Sequence, residues 1–221
     1  MGKRQVRLES WVVASRHQLS HAALLGIGAG DFVEVKVGAL HGGRFGTGFD
    51  GYGLVAPLLE IDGMFLAPTS RGRPGLGIHV GFMSPAGYRA FKPPGWSGFG
   101  GLRITQPLFG GALRLHGNFG ISNGGEGDGF VRGQHVSSWL FGGVSMEARF
   151  TEEAHGVVEF FHRDPYGPYA RWAAVSGGFR YWFRENIGFD AGLGLTLPYA
   201  TDDRVRVFGT VGVRLSTPVR W

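Results

Sequence analysis

The sequence predicts an all-β chain, an antiparallel up-and-down transmembrane β-barrel of about twelve strands occupying residues 1–221 as one domain. Three observations predict it. Strict two-residue alternation of apolar and polar side chains recurs along the chain, as expected of strands with one apolar face. The segments between the alternating runs are by turns long and short, the pattern of external loops and periplasmic turns. Finally, 41 glycines and 14% aromatics without a Gly-X-Y period favour a turn-rich β chain, because each glycine inside a helix costs about 1 kcal/mol relative to alanine.

The runs place strands near 5–14, 22–29, 32–41, 51–66, 75–84, 97–105, 111–121, 136–149, 155–163, 170–182, 187–197 and 204–215. In the first, Val6, Leu8 and Val12 oppose Arg7 and Glu9; in the third, Val33, Val35 and Val37 oppose Glu34 and Lys36. The fourth is interrupted by Pro57 and the sixth is blurred by glycines, so a bulge or a ten-strand barrel is an alternative. In the fifth, Leu76, Ile78, Val80 and Phe82 oppose His79. In the seventh, Leu113, Leu115, Phe119 and Ile121 oppose Arg114, His116 and Asn118. Val144, Met146 and Ala148 oppose Ser145, Glu147 and Arg149, and Val175, Phe179 and Tyr181 oppose Ser176 and Arg180. The alternation is cleanest at the end, where Ile187, Phe189, Ala191, Leu193 and Leu195 oppose Asp190 and Thr196. There Val205, Val207, Val211, Val213 and Leu215 also oppose Arg206, Phe208 and Arg214. Pro218 removes a ladder donor, so the last strand is expected to stop near Leu215.

Alternation alone does not say which face is outside, since a soluble barrel would turn the same valines inward. Twelve strands enclose more space than side chains fill, which suits a polar lumen. Aromatic residues near strand ends (Phe150, Tyr169, Tyr181, Trp182, Tyr199) fall where interfacial girdles belong. The longer connections are expected at 15–21, 42–50, 85–96, 122–135, 164–169 and 198–203, with 67–74 long for a turn. These features turn the apolar face to lipid and place the chain in a bacterial outer membrane. No stretch reaches the roughly 18 apolar residues of a spanning helix. Met1-Gly-Lys-Arg4 leads into no secretory signal, so the chain is read as a mature or shortened form.

A group of residues resembles bacterial outer-membrane barrels of the phenol-degradation meta-pathway transporter type and their uncharacterised relatives. They are Leu113-Arg-Leu-His-Gly-Asn-Phe-Gly120, Val157-Val-Glu-Phe-Phe161, Gly177-Gly-Phe-Arg-Tyr-Trp182 and Asn186-Ile-Gly-Phe-Asp-Ala-Gly192. The resemblance implies an outer-membrane channel or transporter role without naming a substrate. The terminal Trp221 is similar to the final aromatic of signals read by the outer-membrane assembly machinery, so that machinery and outer-membrane lipid are the expected partners.

The candidate lumen-lining residues are Glu34, Lys36, His79, Arg114, His116, Asn118, Glu147, Arg149, Glu159, Arg180, Asp190, Arg206 and Arg214. The same parity places Arg7, Glu9 and Arg103 inward, and Glu60 and Asp62 join them if the fourth strand is correct. That makes eight basic against seven acidic residues, a narrow surplus expected to favour anions. Arg180 and Asp190 are expected to face each other across the short turn 183–186. The net charge of +5 comes from scattered Lys and Arg, which does not point to nucleic acid. With no cysteine there is no thiolate site, and the eight histidines, including His17, His21, His41 and His162, do not group at metal-ligand spacing. Gly124-Gly-Glu-Gly-Asp-Gly129 reads as a loop, with Glu126 and Asp128 as a residual calcium pair.

The expected role is therefore a pore or transporter-like barrel passing or binding small solutes, with no catalytic residue, metal or cofactor. A plugged structural or adhesion barrel is one rival. A hydrolase is the other, because His135-Val-Ser137 resembles the His-x-Ser spacing of outer-membrane lipid A deacylases. Ser138 stands where those enzymes carry Asn, and Glu147 is roughly 33 Å from Ser137 along a strand.

Overall fold

The computed structural model describes residues 5–16, 18–44, 51–54, 58–84, 86, 96–123, 138–162, 173–197 and 206–218. Thirteen strands follow one another in the chain. They are β1 (Gln5–Ser15), β2 (Gln18–Gly28), β3 (Val33–Arg44), β4 (Gly51–Leu54), β5 (Leu58–Leu66), β6 (Gly75–Met83), β7 (Ser97–Leu108), β8 (Leu113–Asn123), β9 (Ser138–Arg149), β10 (Ala154–His162), β11 (Ala173–Arg184), β12 (Ile187–Leu197) and β13 (Arg206–Pro218). Every pairing is antiparallel and, apart from β3 with β5 across the short β4, joins neighbours in the chain, and β1 pairs with β13, which closes the sheet into a barrel. Closure leaves no edge strand to recruit other chains.

The short β4 and β5 share one partner, β3: His41–Arg44 face Leu54–Gly51 and Val33–Gly38 face Gly63–Leu58. They are two halves of one stave, so the barrel has twelve staves, interrupted between Leu54 and Leu58; Pro57, the expected interruption, lies outside the described residues. The stave read as 97–105 is regular and runs to Leu108. Two expectations are corrected. The first connection, expected at 15–21, is only 16–17, because β2 starts at Gln18, where Gln18 and Ser20 take inward positions. The last strand does not stop near Leu215; Thr217 and Pro218 still pair with Val6 and Gln5. Proline is tolerated there as the strand's final residue.

The sheet is inside out relative to a soluble fold. Leu102, Phe119, Leu140, Val144, Leu193 and Val207 are exposed on the outer face. Glu34, Lys36, Glu60, Asp62, Glu147 and His155 are buried within. An exposed contiguous apolar surface with buried charge is the informative departure from ordinary burial, and a hydrocarbon surround resolves it. At the short-turn end two bulges add a residue each, between Met64 and Leu66 and between Trp182 and Arg184. The added residues, Phe65 and Phe183, are exposed and join Phe32, Phe109 and Phe150 in an outer aromatic girdle. Gly110 and Gly111 take φ of 67° and 89° in the β7–β8 turn, which only glycine adopts without strain. Tyr181 is exposed as expected, whereas Trp182 is not part of the girdle: its ring lies against Gly188, on the face shared with Arg180. Tyr169 and Tyr199 lie outside the described residues.

Candidate functional site: the lumen

The inner wall has two layers. Toward the long connections, Leu24, Leu58, Phe99 and Phe141 form a buried apolar cluster against which Trp11 and Met83 pack. The Phe99 and Phe141 rings meet edge-on at 6.3 Å, and His79 lies 5.8 and 5.6 Å from them. Glycines on the facing strand make room: a Cβ on Gly81 would sit 2.1 Å from the Phe99 ring, and one on Gly194 would sit 2.3 Å from the ring of Phe208. This aromatic layer was not read from the sequence, because an isolated Phe at an inward position looks like an alternation error.

Toward the short turns lies a belt of charge in three clusters. In the first, Lys36 Nζ donates to Glu60 Oε1 at 3.0 Å and contacts Asp62, while Arg103 donates to Asp62 at 2.6 Å and to Glu60 at 3.1 Å. Glu60 and Asp62 are each 1% exposed. Burial of such groups is tolerated only where both charges are paired and hydrogen-bonded. In the second, Arg7 bridges Glu9 (3.2 Å) and Glu34 (2.6 Å), and Arg214 reaches Glu9 at 2.8 Å. In the third, Glu147 accepts from Arg180 at 3.2 Å, lies 3.5 Å from Arg114 and 2.7 Å from His155 Nδ1, and Arg180 also donates to Asp190 at 2.6 Å. Arg180 and Asp190 are direct register partners, as the turn arithmetic required. Counting Arg7, Lys36, Arg103, Arg114, Arg180 and Arg214 against Glu9, Glu34, Glu60, Asp62, Glu147 and Asp190, the three clusters hold six cations and six anions. The clusters are therefore balanced, and the surplus of one read from the sequence falls on Arg149 and Arg206 against Glu159, which lie outside them.

The remaining candidates are placed as follows. His79 is buried at the boundary of the two layers, and His116 Nδ1 lies 2.9 Å from Thr105 Oγ1. Asn118 and Glu159 are inward by parity yet solvent-accessible in mid-strand, and Ser176 donates to Glu159 at 2.7 Å. Arg149 and Arg206 stand at opposite ends of the inner wall, at the end of β9 and the start of β13. The packing is therefore lopsided: on the β3–β5 wall Lys36, Glu60 and Asp62 are buried in ion pairs, while along β8–β12 Glu147 and His155 are buried but Arg114, Asn118 and Glu159 meet open space. Arg114 and Asp190 side chains keep 44% and 35% of their exposure. A cavity of about 350 Å³ borders Glu9, Trp11, Glu159, Asp190, Phe208 and Arg214. Arg7, Glu9 and Arg103, inward by parity, and Glu60 and Asp62, inward with the fourth strand, all belong to the clusters; His155, which carries no such signal in the sequence pattern, joins them through Glu147.

His135, Ser137, Glu126 and Asp128 lie outside the described residues. Among the described residues no three His, Asp or Glu side chains gather as a metal site. Two histidines do meet without forming such a group: His21 Nδ1 and His41 Nε2 lie 2.7 Å apart, because β2 and β3 pair them directly.

No protein-family model matches this chain, and no curated protein does. Its fold is shared with solved outer-membrane barrels. An outer membrane channel from Pseudomonas putida F1 superposes with a TM-score of 0.71 at 10% identity, over 98% of this chain and 97% of that one. The KdgM porin, solved in complex with disordered oligogalacturonate, gives 0.63 at 7% identity over 96% and 98%. The NanC porin gives 0.62 at 6% identity over 95% and 98%. The fold is that of outer-membrane porins and channels.

Proposed function

We propose that this protein is a pore of the bacterial outer membrane that passes small solutes along the β8–β12 side of its lumen. The observation that carries the reading is the solvent exposure of Asn118 and Glu159, polar groups at mid-height on the inward face. In a plugged barrel those positions would be packed, as Glu60 and Asp62 are on the opposite wall. The apolar exterior, the aromatic girdles and the shared fold of porins and channels support the location. The sequence resemblance to the phenol-degradation meta-pathway transporter type supports a transport role and leaves the solute open. Arg114, His116, Asn118, Glu159, Arg180 and Asp190 line the proposed path; Glu34, Lys36, His79 and Glu147 serve to hold its walls.

The test is conductance of the detergent-folded protein in planar bilayers. Discrete steps are expected, with at most a weak anion preference in the reversal potential, because six of the cations are locally neutralised. That preference should vanish near 1 M salt, where the screening length is about 3 Å. Attaching a bulky thiol reagent to Asn118→Cys or Glu159→Cys should reduce the step size. Absence of steps, or steps indifferent to both modifications, favours the plugged barrel instead, with the Phe99–Phe141 layer as its plug.

A further inference from the structure

Away from its strand ends, the outer face is apolar with one exception among the described residues. Ser10 on β1, His21 on β2 and His41 on β3 share the parity of Leu8, Leu25 and Val37, opposite to Glu9, Leu24 and Lys36. They form a hydrogen-bonded chain: Ser10 Oγ lies 2.8 Å from His21 Nε2, and His21 Nδ1 lies 2.7 Å from His41 Nε2. The two imidazoles meet edge-on at 4.7 Å, and His41 stands 5.6 Å from the Tyr52 ring. Gln106, His162 and Thr217, also on this face, lie within two residues of a strand end. Polar groups directed at hydrocarbon are costly, and intramembrane ionisable residues mark function more often than architecture. Paired valines or leucines would serve the wall better.

We propose that Ser10, His21 and His41 are a serine-nucleophile site on the lipid-facing wall that hydrolyses carboxylic esters of membrane lipid. The arrangement is a nucleophile in contact with a base that is itself oriented by a third group. With His21 Nδ1–H donating to His41, Nε2 is left as the acceptor of the Ser10 proton. Ser10 Oγ adds to the ester carbonyl carbon as its proton passes to His21. The ester C–O bond then breaks, and the departing alcohol oxygen takes that proton, leaving acyl-Ser10. A water molecule adds next, giving a proton to His21, and collapse releases the carboxylic acid and restores the Ser10 hydroxyl. His41 is a positioning residue that holds the His21 tautomer.

Depth and shape fit that substrate. Tyr52 marks the aromatic level at the long-connection end, and His41 packs on it. The row carrying Ser10 lies two residues further into the membrane than the His21–His41 row, roughly 7 Å along the strand. Acyl ester bonds lie just beneath the headgroups, within reach of that level. In the row of Ser10 the neighbours on β2 and β3 are Ala23 and Ala39, whereas the next row has Leu8, Leu25, Val37 and Leu59. Small residues beside the nucleophile leave a shallow seat for an acyl chain.

The test uses the full chain folded in detergent, its fold verified by a heat-modifiable gel shift. A fluorophosphonate probe should add to Ser10, located by peptide mass mapping of the wild type. Labelling and fatty-acid release from phosphatidylethanolamine vesicles should fall by roughly 10²-fold or more in Ser10→Ala and His21→Ala. His41→Leu should lower both rates, and His41→Gln, which retains an acceptor for His21 Nδ1–H, should recover part of them. Conductance of Ser10→Ala should equal wild type, because Ser10 faces away from the lumen. No adduct on Ser10 in the folded wild type, or an adduct without ester hydrolysis, overturns the proposal.

Discussion

At the scale of single residues, the lumen is specified by where side chains are missing as much as by which are present. Phe99 lies flat on the wall because Gly81 has no Cβ to meet it, so Gly81→Val should overpack the aromatic layer. We expect a loss of about 1–3 kcal/mol, read from the urea midpoint of the barrel in lipid vesicles. Gly63→Val is the control, since its Cβ would meet only the flexible Ile78 side chain at 3.2 Å. Charge behaves by the same logic. Removing one carboxylate from the Lys36–Glu60–Asp62–Arg103 cluster leaves a buried cation under-compensated, and Asp62→Asn should cost roughly 3 kcal/mol or more in that assay. Asp190→Asn removes a partner from the half-exposed wall, where solvent takes over part of the role, and its cost should be clearly smaller. Equal losses at the two sites would contradict the lopsided packing of the walls.

At the scale of the strand, parity is the property that the sequence transmits best. The Arg180–Asp190 pair was legible because one short turn and a period of two determine it. The Lys36–Glu60–Asp62–Arg103 cluster was not, because it joins three staves and Arg103 must reach over β6. Its register partner there is Gly77, which has no side chain to block the way. The same limit hid Ser10, His21 and His41, which occupy unremarkable positions in three separate strands until pairing brings them together. Boundaries were least legible where turn chemistry was weak, as at Arg16–His17. They were also obscured where closure overrode a local signal, as at Pro218, whose strand is held by β1. Outward parity makes a graded prediction along β13. Val211→Arg, at mid-strand, should cost about 2–4 kcal/mol in a bilayer, and Thr217→Arg, at the end, no more than about 1 kcal/mol. Refolding free energies in vesicles would measure both, and equal costs would place the bilayer elsewhere on the strand.

The molecule as a whole is built on one inversion: a sheet whose valines and leucines meet hydrocarbon while paired charges hold its interior apart. From that inversion follow the girdles, the electroneutral belt, the open β8–β12 wall and the anomaly of a serine–histidine chain on the outer face. The sequence pattern raised the inversion as one of two orientations, and the buried Glu60 and Asp62 beside exposed Leu193 and Val207 decide for it. The most direct test attaches a single fluorophore at Leu193, Val207 or Val211 and, separately, at Glu159, in protein folded into vesicles. Lipid-attached quenchers should extinguish the first three and spare the last, with a water-soluble quencher showing the reverse order. Quenching of Leu193, Val207 and Val211 by the aqueous reagent alone would mean that the apolar face does not meet lipid, and would contradict the account.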